Sequence, residues 1–160
     1  MKINTDGSSR GNPSHASIGA IGRGNDGAVI FMLSIYKGQY SNNLMEDLAI
    51  KIAMERGCSL GWKKIICESD SQIVVDILNK QSLENVNWRL ASLARQILCL
   101  CGPLDSVSFH HIPREWNRVA DCLAKWASKN VDGWDIRGRD DLPADYCGII
   151  DQLLLEDRHV

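Results

Sequence analysis

The sequence has no apolar stretch near the length of a membrane span, which takes roughly 20 residues. Its first residues, MKINTDGS, turn polar at once and do not read as a secretory signal. There is no C-x-x-C pair, and no histidine follows a cysteine at zinc-finger spacing, so a structural zinc site is not expected. The six cysteines, Cys58, Cys67, Cys99, Cys101, Cys122 and Cys147, are scattered. Four lie in apolar runs and read as small buried hydrophobes. Together they read as reduced thiols of an intracellular protein, nuclear or cytoplasmic. Internal repeats and low-complexity tracts are also missing. So is an excess of one charge: 18 basic residues face 20 acidic ones, and the net charge is −2. Taken whole, that balance runs against a nucleic-acid binder.

What is present is an ordinary globular composition. Hydrophobic residues make up 44% of the 160 and charged residues 24%, enough for one well-buried core. A strand-like segment begins at residue 2, so a domain cut from a longer chain is expected, acting as a monomer. Residues 2–6 alternate as a strand. Two more strands, 17–23 and 28–36, flank Asn25-Asp26-Gly27, a hairpin signal. Helical spacing follows over 43–58, with Leu44, Leu48, Ala49, Ile52 and Ala53 on the apolar face. Residues 63–68 form a buried strand, and Asp70 is placed to cap a helix over 71–80. A second stripe, Leu90, Leu93, Ala94, Ile97, Leu98 and Cys101, marks a helix over 88–101, stopped by Gly102-Pro103. Residues 106–112 alternate again. A helix after Pro113 carries Trp116, Val119, Ala120, Leu123, Ala124 and Ala127 to about Lys129. The fold class is therefore α/β, a five-stranded mixed sheet with helices packed on both faces.

The charge divides at residue 130. Residues 1–130 hold 15 basic and 12 acidic residues, net +3; residues 131–160 hold 3 and 8, net −5. The chain thus reads as a 1–130 domain with a 131–160 acidic appendage, docked or mobile, carrying a short apolar helix near 146–155. Its acids are expected to compete with an anionic substrate.

Four acids stand in awkward places. Asp6 ends the first strand and Asp70 ends the strand 63–68. If those strands are parallel neighbours, the two carboxylates meet at the sheet end where open α/β sheets place their sites. Glu46 sits between Met45 and Leu48, and Asp121 lies beside the apolar stripe of the last core helix. Converging carboxylates repel one another, and a hard divalent cation, Mg²⁺ or Mn²⁺, removes that cost. Each acid alone could instead be a turn, a cap or a solvated helix charge.

The segments INTDGSSRGNP, SNNLMEDLA, ESDSQIVV and HIPREWNRVADCLAKWA, in that order, resemble the type 1 ribonuclease H family. More narrowly, they are similar to plant ribonuclease H-like domains derived from non-LTR retrotransposon reverse transcriptases. The resemblance covers residues 1–130. It implies hydrolysis of the RNA strand of an RNA–DNA hybrid with two Mg²⁺ ions, for which Mn²⁺ can substitute. Asp6, Glu46, Asp70 and Asp121 match the family's metal-binding carboxylates, with Asp6 bridging both ions. His111, ten residues before Asp121, matches a proton-shuttling loop histidine. Gly11, Asn12, Ser41, Asn42, Asn43, Gln72 and Asn117 match substrate-contacting positions. The basic, Trp-containing handle of some members is not matched, and Trp88 is expected to pack. A weak hybrid affinity follows. The competing reading is a transposon-derived binding or regulatory module with little turnover.

Overall fold

The computed structural model describes residues 1–10, 15–130 and 135–157. Three antiparallel strands come first: β1 (Lys2–Arg10), β2 (His15–Arg23) and β3 (Val29–Gly38). The turn between β2 and β3 is the expected one. Gly27 takes φ +81°, and the Gly24 amide donates to the Ala28 carbonyl at 2.9 Å. Helix α1 (Asn42–Ser59) then crosses to β4 (Lys64–Ser69), and α2 (Gln72–Leu78) and α3 (Trp88–Cys101) cross to β5 (Ser106–His111). The strand order is β3-β2-β1-β4-β5, with β4 parallel to both β1 and β5. Helices α4 (Arg118–Lys129) and α5 (Ala144–Glu156) complete the fold.

The sheet is covered on both faces, as its residue pattern requires. Phe31, Leu33 and Ile35 of β3 join the core under α1, α2 and α3, with Met45, Ile50, Met54, Val74 and Ile97. Met32, between them, points to the other layer and meets Ile21, Leu123, Trp126 and Ile150. Strand β2 lies inside on both faces and is buried from Ala16 to Arg23. Helix α4 sits directly on it. A Cβ on Gly19 would lie 2.2 Å from the Ala120 carbonyl oxygen. The Ser17 and Ser34 hydroxyls donate to the Ala124 and Leu123 carbonyls at 2.6 and 2.5 Å.

Several expectations need correction. Residues 114–116 form a separate 3-10 turn before α4, so Trp116 leaves the stripe and is 47% exposed. Ser71, not Asp70, caps α2, accepting from the Val74 amide at 3.5 Å. Trp88 does not pack; it is 71% exposed, with the Arg89 guanidinium 5.1 Å from its ring centre. Of the cysteines only Cys67 is fully buried, and Cys99 is exposed. On α1 the fully buried apolar side chains are Met45, Ile50 and Met54, with Ala49 and Ala53; Leu48 and Ile52 are only half-buried. The tail is docked. Ile136 pairs with Ser34 at the sheet edge, and Ile136, Leu142 and Ile150 are buried in the second core. Four of its acids are paired: Asp157 with Arg23, Glu156 with Arg118, Asp151 with Arg139 and Asp135 with Arg137.

Asp47 on α1 is a local conflict. It is 1% exposed, and neither carboxylate oxygen has a hydrogen-bond partner. Burial pushes its carboxyl up to about 7 from an ordinary 3.8. A folded state that prefers the protonated form loses stability as pH rises from about 4 through about 7. Asp47→Asn removes the charge at constant shape. Relative to wild type it should be neutral near pH 4 and stabilising by up to about 4 kcal/mol above pH 7. Urea melts of both proteins at pH 4.5 and 8 measure this; an equal difference at the two pH values would contradict it.

Candidate active site

The site forms because neighbouring strands end at different places. The parallel β1–β4 ladder stops at Thr5 and Ser69, whereas the antiparallel β1–β2 ladder continues to Arg10 and His15. Asp6 is therefore the first residue of β1 with β4 no longer beside it, and Asp70 is the residue just past β4. Asp6 is 2% exposed. Gly7 then admits the third carboxylate. A Cβ at this position would lie 2.4 Å from the backbone nitrogen of Glu46 and the carbonyl carbon of Met45. Without one, α1 lies against β1, and the Gly7 amide donates to Glu46 Oε2 at 3.0 Å. Asp6, Glu46 and Asp70 each offer an oxygen, and these atoms lie within 4.8 Å of one another.

The fourth carboxylate approaches from the other layer. Asp121 lies in the first turn of α4 and faces Asp6, while Lys125, one turn on, pairs with Asp121 Oδ2 at 2.7 Å. Asn117, expected to touch substrate, is 1% exposed instead, and its side-chain amide donates to the Thr5 carbonyl at 2.8 Å. That bond ties the start of α4 to the residue before Asp6. The Asn117 Oδ1 and Thr5 Oγ1 atoms have no partner.

The electrostatics are those of crowded acids. Burial, then the charges of Glu46, Asp70 and Asp121, push Asp6 up to about 10. Burial, then Asp70, pushes Glu46 up to about 8, against the pull of the Gly7 amide. Burial also raises Asp70, opposed by Arg114, whose Nε lies 3.7 Å from Asp70 Oδ2. Oxygen-only donors that resist ionisation fit a hard divalent cation, because its charge removes the repulsion.

These groups line a cleft of about 410 Å³. Asn42 and Asn43 are among the residues that line it. Ser41 caps α1, accepting from the Leu44 amide at 3.5 Å. Gln72 does not line the cleft; its amide donates to Asp76 at 2.7 Å. Gly11 and Asn12 lie outside the described residues. His111 is exposed at the end of β5, opposite Ser69, and is not part of the cleft lining. The turn at 114–116, which follows Pro113, instead brings Arg114 to 3.7 Å from Asp70. Sequence reasoning missed Arg114, Arg10 and Lys125, which supply the cleft's positive charge. The i,i+4 spacing from Asp121 was a usable signal for Lys125.

The mixed sheet, its helical layers and this end-of-strand cleft define a ribonuclease H fold. The structure of RNase H1 from the archaeon Halobacterium salinarum matches with TM-score 0.75 and 29% identity, over 81% of this chain and 97% of that one. LC11-RNase H1, from compost and solved with an RNA/DNA hybrid, matches with TM-score 0.73 and 29% identity, over 82% and 99%. The chain belongs to the reverse transcriptase-like family, whose model matches residues 4–127. In sequence, ribonuclease HI of Halobacterium salinarum is 33% identical over 128 residues, 76% of this chain and 61% of that protein. An Arabidopsis thaliana protein named for ribonuclease H is 35% identical over 135 residues, 79% of this chain and 20% of that protein. The chain thus spans less than two-thirds of either curated relative.

Proposed function

We propose that the protein is a metal-dependent endonuclease that hydrolyses the RNA strand of RNA–DNA hybrids. The observation that carries this reading is the meeting of Asp6, Glu46 and Asp70, oxygens within 4.8 Å, at the end of the β1–β4 pair. Asp6, Glu46 and Asp70 would hold one divalent cation, and Asp6 with Asp121 a second, Mg²⁺ or Mn²⁺. Bound there, such ions supply Lewis acidity and charge neutralisation at a phosphodiester. The chain's own residues do the rest. The Gly7 amide fixes the Glu46 carboxylate. Asn117 fixes the height of α4 and so of Asp121. Arg10, Arg114 and Lys125 offer cations to backbone phosphates, and Asn42 and Asn43 offer amides at the rim. Six free thiols are in keeping with a reducing, intracellular setting.

The test is cleavage of a labelled RNA–DNA hybrid with Mg²⁺ or Mn²⁺, beside double-stranded RNA and double-stranded DNA. Cutting confined to the RNA strand of the hybrid is expected. A wild-type protein inert with both metals overturns the catalytic reading and favours the binding module.

A further inference from the structure

Asp121 is the one proposed cation ligand that already holds a full positive charge at hydrogen-bond distance. Lys125 Nζ lies 2.7 Å from its Oδ2, with the two side chains 36% and 18% exposed. The trio that brings its oxygens within 4.8 Å is Asp6, Glu46 and Asp70, without Asp121. Arg114 is different: it stands 3.7 Å from Asp70 on a side chain 75% exposed. Lys125 is also held by its backbone. It is one helical turn from Asp121 on α4, whose carbonyls at Leu123 and Ala124 are bonded to the sheet. The helix therefore cannot withdraw the amine; only the flexible four-carbon stem can.

We infer that Lys125 is an exchangeable counter-cation: it holds Asp121 until a divalent ion takes the carboxylate, and then transfers to a phosphate oxygen of the bound strand. This rests on the metal-dependent reading above and assigns Lys125 a positioning role within it. The exchange moves no covalent bond. One ammonium leaves one carboxylate oxygen and takes one phosphate oxygen, and its charge stays in the cleft throughout. Two consequences follow. In the absence of nucleic acid, Lys125 competes with the cation at Asp121 and weakens the second binding step. In the presence of the cation, Lys125 adds one phosphate contact that it does not make when the cation is missing.

The experiment uses the full chain, stripped of metal, and Lys125→Met, Lys125→Gln and Lys51→Met. Lys51 pairs with Glu55 on α1 and reports the general effect of losing one positive charge. Mn²⁺ binding to the free proteins is followed by electron paramagnetic resonance. The second, weaker ion should bind about threefold to tenfold tighter to Lys125→Met and Lys125→Gln, as loss of a part-exposed ion pair implies. Lys51→Met should match wild type. Binding of an uncleavable hybrid, with a 2′-O-methyl RNA strand, is then measured against salt. With Mn²⁺ the slope of log K against log salt should be shallower by about 1 for Lys125→Met, one phosphate contact. With chelator the wild-type and variant slopes should coincide.

Equal Mn²⁺ affinities in wild type and both Lys125 variants overturn the competition. So does an equal shift in Lys51→Met. Slopes that differ as much with chelator as with Mn²⁺ overturn the exchange. A wild-type protein that binds no Mn²⁺ overturns the metal-dependent reading itself, an outcome distinct from the others. Should Lys125→Met fail to fold, as judged by circular dichroism, Lys125→Gln carries both measurements.

Discussion

Asp70→Asn should lower cleavage of the hybrid's RNA strand by about a thousandfold or more, while the protein melts no earlier than wild type. The activity loss follows from placement. Asp70 stands just past β4, within reach of both Asp6 and Glu46. Removing its charge removes a ligand from the trio, and several kcal/mol of transition-state stabilisation depend on a correctly held ion; each 1.36 kcal/mol is a factor of ten in rate. The stability half of the prediction has the opposite sign. Burial and Asp121 raise the Asp70 carboxyl despite Arg114, so the folded protein disfavours its ionised form. An amide relieves that cost, and the Arg114 contact it sacrifices is long and solvent-exposed. Activity assays and thermal melts on the same preparation separate the two effects. Full activity in Asp70→Asn would remove the assigned site, and early melting would remove the electrostatic account of it.

A chain ending at Asn130 should lose most of its cooperative unfolding transition. The appendage contributes Ile136, Leu142 and Ile150 to the second core, and its removal uncovers Ile21, Met32, Val119 and Leu123. Burying three such side chains contributes about 5–9 kcal/mol before the entropy of ordering the segment is subtracted. That is comparable with the whole stability of a domain, about 5–15 kcal/mol. The truncation also frees Arg23, 3% exposed, from Asp157, leaving a buried cation unpaired. Calorimetry on the truncated and full chains decides the matter. A melting temperature within a few degrees of the full chain's would show that the tail is dispensable.

Much of the architecture was legible. The hairpin at Asp26-Gly27, the α3 stripe and the strand segments came from local spacing, and the meeting of Asp6 and Asp70 followed once β1 and β4 are taken as parallel neighbours. What was not legible depended on neighbours far away in sequence. The ten-residue interval matched His111 to a loop histidine by resemblance, but no local pattern shows that the turn at 114–116 delivers Arg114 to the cleft. Asn117 looked like a substrate amide because nothing local says that the Thr5 carbonyl lies 2.8 Å away. Trp88 looked like core because tryptophan usually is. The tail's apolar residues were visible, but the bare strip on Ile21 and Met32 that receives them exists only after the sheet is assembled. Asp47 could not have been found by pattern, since it contradicts the pattern.

Position 7 has a further consequence. With no side chain between β1 and the α1 backbone, the depth at which α1 docks and the spacing of Asp6 from Glu46 are one mechanical coordinate. Repacking Met45, Ile50 or Met54 to gain thermal stability would shift the helix by tenths of an ångström, and the carboxylates would move with it. Selection for a firmer core and selection for a particular cation therefore act on the same degree of freedom, and neither can be optimised without retuning the other.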